Sequence, residues 1–89
     1  MPRIELTKAL RRHVDCPAEH VLGSTVGEAL QAYFALHPPV RGYVLDEQGM
    51  VRKHVTVFVN GEQVLDRAML ADPVGPNDEV HVFQALSGG

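Results

Sequence analysis

Residues 54–61 read His54-Val-Thr-Val-Phe-Val-Asn-Gly61, which is the strongest strand signal in the chain. β-Branched and aromatic residues dominate this stretch, as is typical of strands. Because side chains alternate between the two faces of a strand, its three valines are predicted to face the core. The Asn-Gly pair at its end favours a type I′ turn, so residues 62–65 are predicted to return as the partner strand of a hairpin.

Three further strands are predicted around this hairpin. Apolar and polar residues alternate over residues 3–7, which is the pattern of a half-buried strand. Residues 18–22 are predicted to pair with that first strand. Residues 79–84 form the last strand, in which Val80 and Val82 face the core.

One amphipathic helix is predicted between the two hairpins. Thr25-Val-Gly-Glu28 fits a capping box, in which the Thr25 hydroxyl accepts from the Glu28 amide and the Glu28 carboxylate reaches back. Apolar and aromatic residues then recur at helical spacing, at Val26, Leu30, Tyr33, Phe34 and His37. Pro38-Pro39 is predicted to end this helix, and residues 40–45 to form a short helical turn beneath the sheet.

The order of these elements defines the fold class. A helix segregated to one face of a mixed sheet is an α+β arrangement. We predict a mixed sheet of four to five strands with one main helix on one face. By analogy, the first and last strands lie side by side at its centre, as in the β-grasp, or ubiquitin-like, fold. Residues 1–84 are predicted to form this domain, and residues 85–89 a flexible diglycine tail.

Size and composition restrict the classes of function. A chain of 89 residues with 45% hydrophobic residues is enough for one small domain. We see no apolar run of membrane-spanning length and no secretory signal. The single cysteine, Cys16, excludes an internal disulfide. We therefore expect a cytoplasmic protein without a membrane partner. The net charge of −3 argues against a nucleic-acid-binding function.

The last five residues, Ala85-Leu-Ser-Gly-Gly89, carry the clearest functional signal. Glycine has no β-carbon, so its backbone can approach another surface closely. A diglycine tail can therefore thread a narrow channel in a partner enzyme and present its carboxylate to a nucleotide. Termini are often poorly ordered, so the meaning of the tail depends on the rest of the chain.

Four motifs occur in order along the chain: Thr25-Val-Gly-Glu-Ala-Leu30, Val57-Phe-Val-Asn-Gly61, Asp78-Glu-Val80 and Gly88-Gly89. Together they resemble the MoaD/ThiS family of ubiquitin-like small sulfur carriers, to which the small subunit of molybdopterin synthase belongs. The resemblance covers nearly the whole chain and implies a β-grasp fold.

The resemblance also implies a function and a set of partners. An E1-like adenylating enzyme would use ATP and Mg²⁺ to activate the carboxyl of Gly89, and a sulfurtransferase would help convert it to a thiocarboxylate. A sulfur-accepting synthase subunit would then receive the sulfur in molybdopterin-type or related biosynthesis. Leu86, Ser87 and Gly88 would deliver the reacting end. The chain itself would be a carrier rather than an enzyme, with no bound cofactor.

Phe58 and Phe83 are the candidate partner-binding residues. With the valines of their strands facing inward, both rings face outward, and they lie close together if the two strands are neighbours. With Leu86 they would form an exposed apolar patch beside the tail, and such patches often mark partner sites. The alternative is that a loop covers the two rings.

Two other functions remain open from the sequence. The chain can be a ubiquitin-like protein modifier joined to lysines through Gly89, or a non-catalytic binding module with an inert tail. His54 and His81 can meet across neighbouring strands, but two histidines alone do not make a usual zinc site. Cys16 has no adjacent base in the sequence. We therefore expect neither a metal site nor a catalytic residue.

Overall fold

The computed structural model describes residues 1–66 and 69–84, and within them five strands form one mixed sheet. The strands are β1 (Arg3–Leu6), β2 (Glu19–His20), β3 (Val55–Val59), β4 (Glu62–Gln63) and β5 (Glu79–Gln84). Their order across the sheet is β2-β1-β5-β3-β4. β1 and β5 pair in parallel, and the other neighbours are antiparallel. The prediction that the first and last strands lie side by side at the centre is confirmed.

Within the same described residues, three helices accompany the sheet: α1 (Lys8–Arg11), α2 (Val26–Leu36) and α3 (Pro38–Val44). α2 begins at the predicted cap, where the Glu28 amide donates to the Thr25 hydroxyl over 3.2 Å and the Ser24 amide donates to the Glu28 carboxylate over 2.8 Å. Its buried side is formed by Val26, Ala29, Leu30, Tyr33 and Phe34. No helix in the described part of the chain is both long and apolar enough to cross a membrane.

The core lies between the sheet and the helices. Val55, Val57, Val80 and Val82 are each at most 2% exposed. Val59, the third valine predicted to face inward, is half-buried and packs against the same core. The hairpin between β3 and β4 has the predicted turn, because Asn60 and Gly61 adopt φ values of 50° and 86°. A type I′ turn needs positive φ at both positions.

Three local predictions differ from the structure, and the first concerns β4, which spans Glu62–Gln63 and not the predicted residues 62–65. Pro38-Pro39 ends α2 but also begins α3, since the fixed φ and missing N–H of proline suit the first turn of a helix. The strand predicted over residues 18–22 has only two residues, because the chain then turns to pass against α2. At Gly23 an added β-carbon would lie 2.6 Å from the backbone nitrogen of Ala29. This close approach ties the first hairpin to the main helix.

The glycine contacts predict opposite effects of two matched substitutions. Gly23→Ala should lower the free energy of unfolding by about 1–3 kcal/mol, because the new methyl group meets the backbone of α2. Gly42→Ala, in the middle of α3 with open space around it, should raise it by about 0.5–1 kcal/mol. Urea denaturation followed by circular dichroism measures both. A Gly23→Ala protein as stable as the wild type would contradict this packing.

Candidate functional site

An aromatic pair occupies the face of the sheet opposite the buried valines. The rings of Phe58 on β3 and Phe83 on β5 lie 5.2 Å apart, centroid to centroid, and are perpendicular. Aromatic pairs favour this edge-to-face arrangement. Phe83 is 45% exposed, so within the described residues no loop covers it. The prediction that these two rings meet on the outer face is confirmed.

A shallow depression of about 650 Å³ lies beside this pair, and its lining residues are Phe58, Asn60, Gly61, Glu79, His81 and Phe83. On β5, His81 lies between its two strand partners, Glu5 on β1 and Phe58 on β3. Its ring centroid is 6.2 Å from that of Phe83. We call Phe58, His81 and Phe83 the aromatic face. An apolar surface with polar residues at its edge is the usual anatomy of a protein-binding site.

One edge of the depression is fixed by hydrogen bonds between the β3–β4 turn and the start of β5. The side-chain amide of Asn60 donates to the Asp78 carboxylate over 2.8 Å, and its carbonyl accepts from the Glu79 amide over 2.9 Å. The Gly75 amide also donates to Asp78, over 2.7 Å. These bonds, first that from Gly75 and then that from Asn60, hold the pKa of Asp78 below its usual value. The turn and β5 therefore present the depression as one unit.

An ion-pair network borders the aromatic face on its β1 side. The Arg3 guanidinium lies 2.6 Å from Glu5 and 3.4 Å from Glu79. The hydrogen bond from Arg3 holds the pKa of Glu5 below its usual value, and Glu5 in turn raises the pKa of Arg3. His81 lies 3.8 Å from Glu5 and 3.7 Å from Glu79. The network gives the outer face of β5 a polar side and an apolar side.

Glu5, Glu79 and His81 are also the residues best placed to hold a metal ion, with ligand atoms within 4.8 Å of one another. Arg3 already neutralises both carboxylates, however. A cation would have to displace that guanidinium, so we assign no metal site to this cluster. Sequence reasoning did not find the network, although the register that pairs Arg3 with Glu79 and Glu5 with His81 contains it.

The other candidate residues do not assemble into a site. His81 is the strand partner of Phe58, whereas His54 lies four residues away and before the start of β3, so the two histidines do not meet. Cys16 is 1% exposed, and burial raises the pKa of its thiol. A buried thiol with a raised pKa is a poor nucleophile.

The tail residues Leu86, Ser87, Gly88 and Gly89 lie outside the described residues, and their placement beside the aromatic face stays a prediction. The structure does show where the described chain ends. Gln84, the last residue of β5, pairs with Val55 in the middle of the sheet. Phe83 immediately precedes it.

The strand order and the single main helix define a ubiquitin-like β-grasp protein with an aromatic face next to the end of its central strand. The sequence model of the ThiS family matches residues 7–89, so the chain belongs to the ThiS family of ubiquitin-like sulfur carriers and small modifiers. Small archaeal modifier protein 1 of Haloferax volcanii is 35% identical over 66 residues, which cover 74% of this chain and 71% of the relative.

Solved structures confirm the predicted β-grasp fold. The crystal structure of SAMP1 from Haloferax volcanii has a TM-score of 0.79 and 29% identity, covering 99% of this chain and 98% of that one. A chain in the crystal structure of the Amycolatopsis orientalis BexX/CysO complex has a TM-score of 0.83 and 22% identity, covering all of both chains. The second likeness concerns the fold alone.

The hydrogen bonds of Asp78 predict a pH-dependent contribution to stability. Because the folded-state pKa is lowered, the stabilisation is present above the unfolded value of 3.8 and is lost as the pH falls through the folded value. Asp78→Asn should therefore be less stable than the wild type at neutral pH, and the difference should shrink below pH 3.8. Urea denaturation over a pH series measures this.

The matched control is Glu62→Gln. Glu62 lies on β4 at the same end of the sheet, and its exposed side-chain carboxylate makes no hydrogen bond or ion pair within the described residues. If this variant reproduced the pH dependence of Asp78→Asn, general charge effects rather than the bonds to Gly75 and Asn60 would be responsible.

Proposed function

We propose that the protein is a sulfur carrier whose Gly89 carboxyl is adenylated, converted to a thiocarboxylate and used in molybdopterin-type or related biosynthesis. The observation that supports this proposal most is the ThiS family match, which extends through residue 89 and so includes the diglycine. The position of β5 also supports the proposal. β5 lies at the centre of the sheet, so the tail that follows it begins at a rigid strand beside the depression at the aromatic face.

The chemistry requires activation because a carboxylate oxygen is a poor leaving group. In the first step the Gly89 carboxylate attacks the α-phosphorus of ATP and pyrophosphate leaves, with Mg²⁺ offsetting the phosphate charge. In the second step the outer sulfur of a sulfurtransferase persulfide attacks the carbonyl carbon and AMP leaves. A thiol then cleaves the S–S bond of the acyl disulfide, which releases the thiocarboxylate and leaves a disulfide. Gly88 and Gly89 suit both steps because no β-carbon crowds the reacting carbonyl.

The E1-like adenylating enzyme is proposed to dock on the aromatic face. Phe83 is exposed on a rigid strand and supported by Phe58, which is how an aromatic anchor of an interface is commonly built. The sulfur-accepting synthase subunit would use the same surface after activation. Each bond-making step takes place at the terminal carboxyl in a partner's active site, so in this proposal the chain is a cytoplasmic carrier and not an enzyme.

A second candidate function is protein modification through Gly89. It is favoured by the 35% identity to small archaeal modifier protein 1. The activation step would be the same, and only the nucleophile would differ: the ε-amine of a lysine on a target protein in place of sulfur. The third possibility, a binding module with an inert tail, would require no activation at all.

Phe83→Asp tests the docking surface. The exposed position should tolerate the change, but a charge in an apolar contact should weaken binding to the E1-like enzyme of the same organism about tenfold or more. Isothermal titration calorimetry measures the affinity, and circular dichroism verifies the fold. Leu36→Asp is the control, since Leu36 is 57% exposed on α2, away from the aromatic face. Equal losses in both variants, or none in Phe83→Asp, would contradict this docking mode.

Deletion of Gly89 tests the activation itself. The E1-like enzyme with ATP and Mg²⁺ should release pyrophosphate when given the full chain and none when given the chain that lacks Gly89. Binding of the shortened chain should persist, because the aromatic face is unchanged. If the full chain binds the E1-like enzyme but, like the shortened chain, releases no pyrophosphate, the tail is inert. The protein would then be the binding module described as the third possibility.

A further inference from the structure

The sequence contains one Asn-Gly pair, Asn60-Gly61, and it forms the exposed turn between β3 and β4. An asparagine before glycine is especially prone to deamidation. Glycine has no side chain to hinder attack by its own backbone nitrogen on the preceding side-chain amide. The other asparagine of the chain, Asn77, precedes an aspartate, whose side chain hinders the same attack. The sequence therefore directs this chemistry to Asn60.

In the folded protein the side-chain amide of Asn60 is bonded at both of its polar atoms. Its nitrogen donates to the Asp78 carboxylate over 2.8 Å, and its oxygen accepts from the Glu79 amide over 2.9 Å. The backbone amide of Asn60 also donates to the Glu79 carbonyl over 2.9 Å. We call these three bonds the Asn60 clamp. They hold both the side chain and the backbone of Asn60 to the start of β5.

The clamp is incompatible with the geometry that deamidation requires. The Gly61 nitrogen must approach Cγ of Asn60 from above the plane of the side-chain amide, and a five-membered ring must close. This closure needs rotation of the Asn60 side chain, which breaks its bonds to Asp78 and Glu79. It also needs rotation of the Asn60 backbone, which the type I′ turn holds in the left-handed region with φ 50°. The turn must therefore open before the reaction can start.

We propose that Asn60 is a deamidation site that the clamp protects, so that the reaction begins only when the β3–β4 turn opens. The Gly61 nitrogen attacks Cγ of Asn60 and gives its proton to the solvent. A C–N bond forms, the bond from Cγ to the side-chain nitrogen breaks, and that nitrogen takes a proton and leaves as ammonia. Water then opens the resulting succinimide at either carbonyl. The products are aspartate and isoaspartate, in which the main chain runs through the former side chain.

Either product prevents the clamp from forming again. Aspartate at position 60 has no N–H donor, so its carboxylate would face that of Asp78 across the present hydrogen-bond distance, where like charges repel. Isoaspartate adds a methylene group to the main chain and so lengthens the two-residue turn that fixes the register of the hairpin. The reaction thus makes an opening of the turn permanent. Because Asn60 and Gly61 line the depression beside the aromatic face, it also alters that surface.

The first test compares the full chain in its folded and unfolded states in mildly alkaline buffer. Peptide mapping by mass spectrometry detects the reaction, because replacement of the NH2 group by OH raises the mass of the peptide that contains Asn60. The folded protein should react at least about tenfold more slowly than the chain unfolded in guanidinium chloride. Two side-chain hydrogen bonds of ordinary net strength correspond to a roughly tenfold to hundredfold reduction in opening.

The second test separates the clamp from overall stability. Asp78→Ala removes the acceptor of the Asn60 side-chain nitrogen, so the folded variant should deamidate at Asn60 about tenfold faster than the folded wild type. Gly23→Ala is the control, because its new methyl group disturbs the contact with α2 and leaves the turn unchanged. It should react at the wild-type rate. Circular dichroism verifies that both variants are folded, and the first test decides the matter if Asp78→Ala does not fold.

Three results would overturn the proposal. Equal rates in the folded and the unfolded wild type would show that the clamp gives no protection. Equal acceleration in Asp78→Ala and Gly23→Ala would show that unfolding of the whole domain, and not opening of the turn, admits the reaction. An unfolded chain that does not deamidate at Asn60 would remove the site altogether. None of these results bears on activation at Gly89, because no step of the reaction involves the C-terminus or a partner protein.

Discussion

The parallel pairing of β1 with β5 is the constraint on which the rest of the structure depends. It aligns Arg3–Leu6 with residues 79–82 and requires everything between the two strands to cross from one end of the sheet to the other. α2 contributes its buried side chains to the same core as the inward valines of the sheet. β3 then occupies the other side of β5. As a result, the last strand is flanked on both sides, and the chain leaves it at Gln84 from the middle of the sheet.

The same pairing makes the two ends of β5 chemically different. At its start, the carboxylates of Asp78 and Glu79 are occupied by bonds to Asn60, Gly75 and Arg3. At its end, the side chains of Lys8 and Lys53 have no such bonds within the described residues. Between these ends, Phe58 and Phe83 form an apolar outer surface. The start of β5 is therefore held by hydrogen bonds and an ion pair, its outer surface is apolar, and two lysines lie near its end. This arrangement suits a protein that presents its C-terminus to other proteins.

Much of this arrangement was predictable from local sequence signals. Alternation identified the inward valines and the outward Phe58 and Phe83, and the Asn60-Gly61 pair identified the hairpin turn, because these signals involve residues close in sequence. The short β2 was not predictable, since it depends on the close approach of Gly23 to α2. The second role of Pro38-Pro39 was missed because proline both ends a helix and suits the first turn of the next one. The Arg3–Glu5–Glu79 network was missed for the same reason, because its register joins strands more than seventy residues apart. The roles of Leu86, Ser87, Gly88 and Gly89 remain predictions.

The central claim is that Gly89 carries sulfur, and the most direct measurement is the intact mass of the protein purified from its own cells, followed by fragmentation. We predict a fraction in which one carboxyl oxygen is replaced by sulfur, with fragment ions that place the change on Gly89. Fragmentation is essential because oxidation of Met1, Met50 or Met69 to sulfoxide adds nearly the same mass. Gly89 found only in isopeptide bonds to lysines of other proteins, with no sulfur at the terminus, would contradict the account.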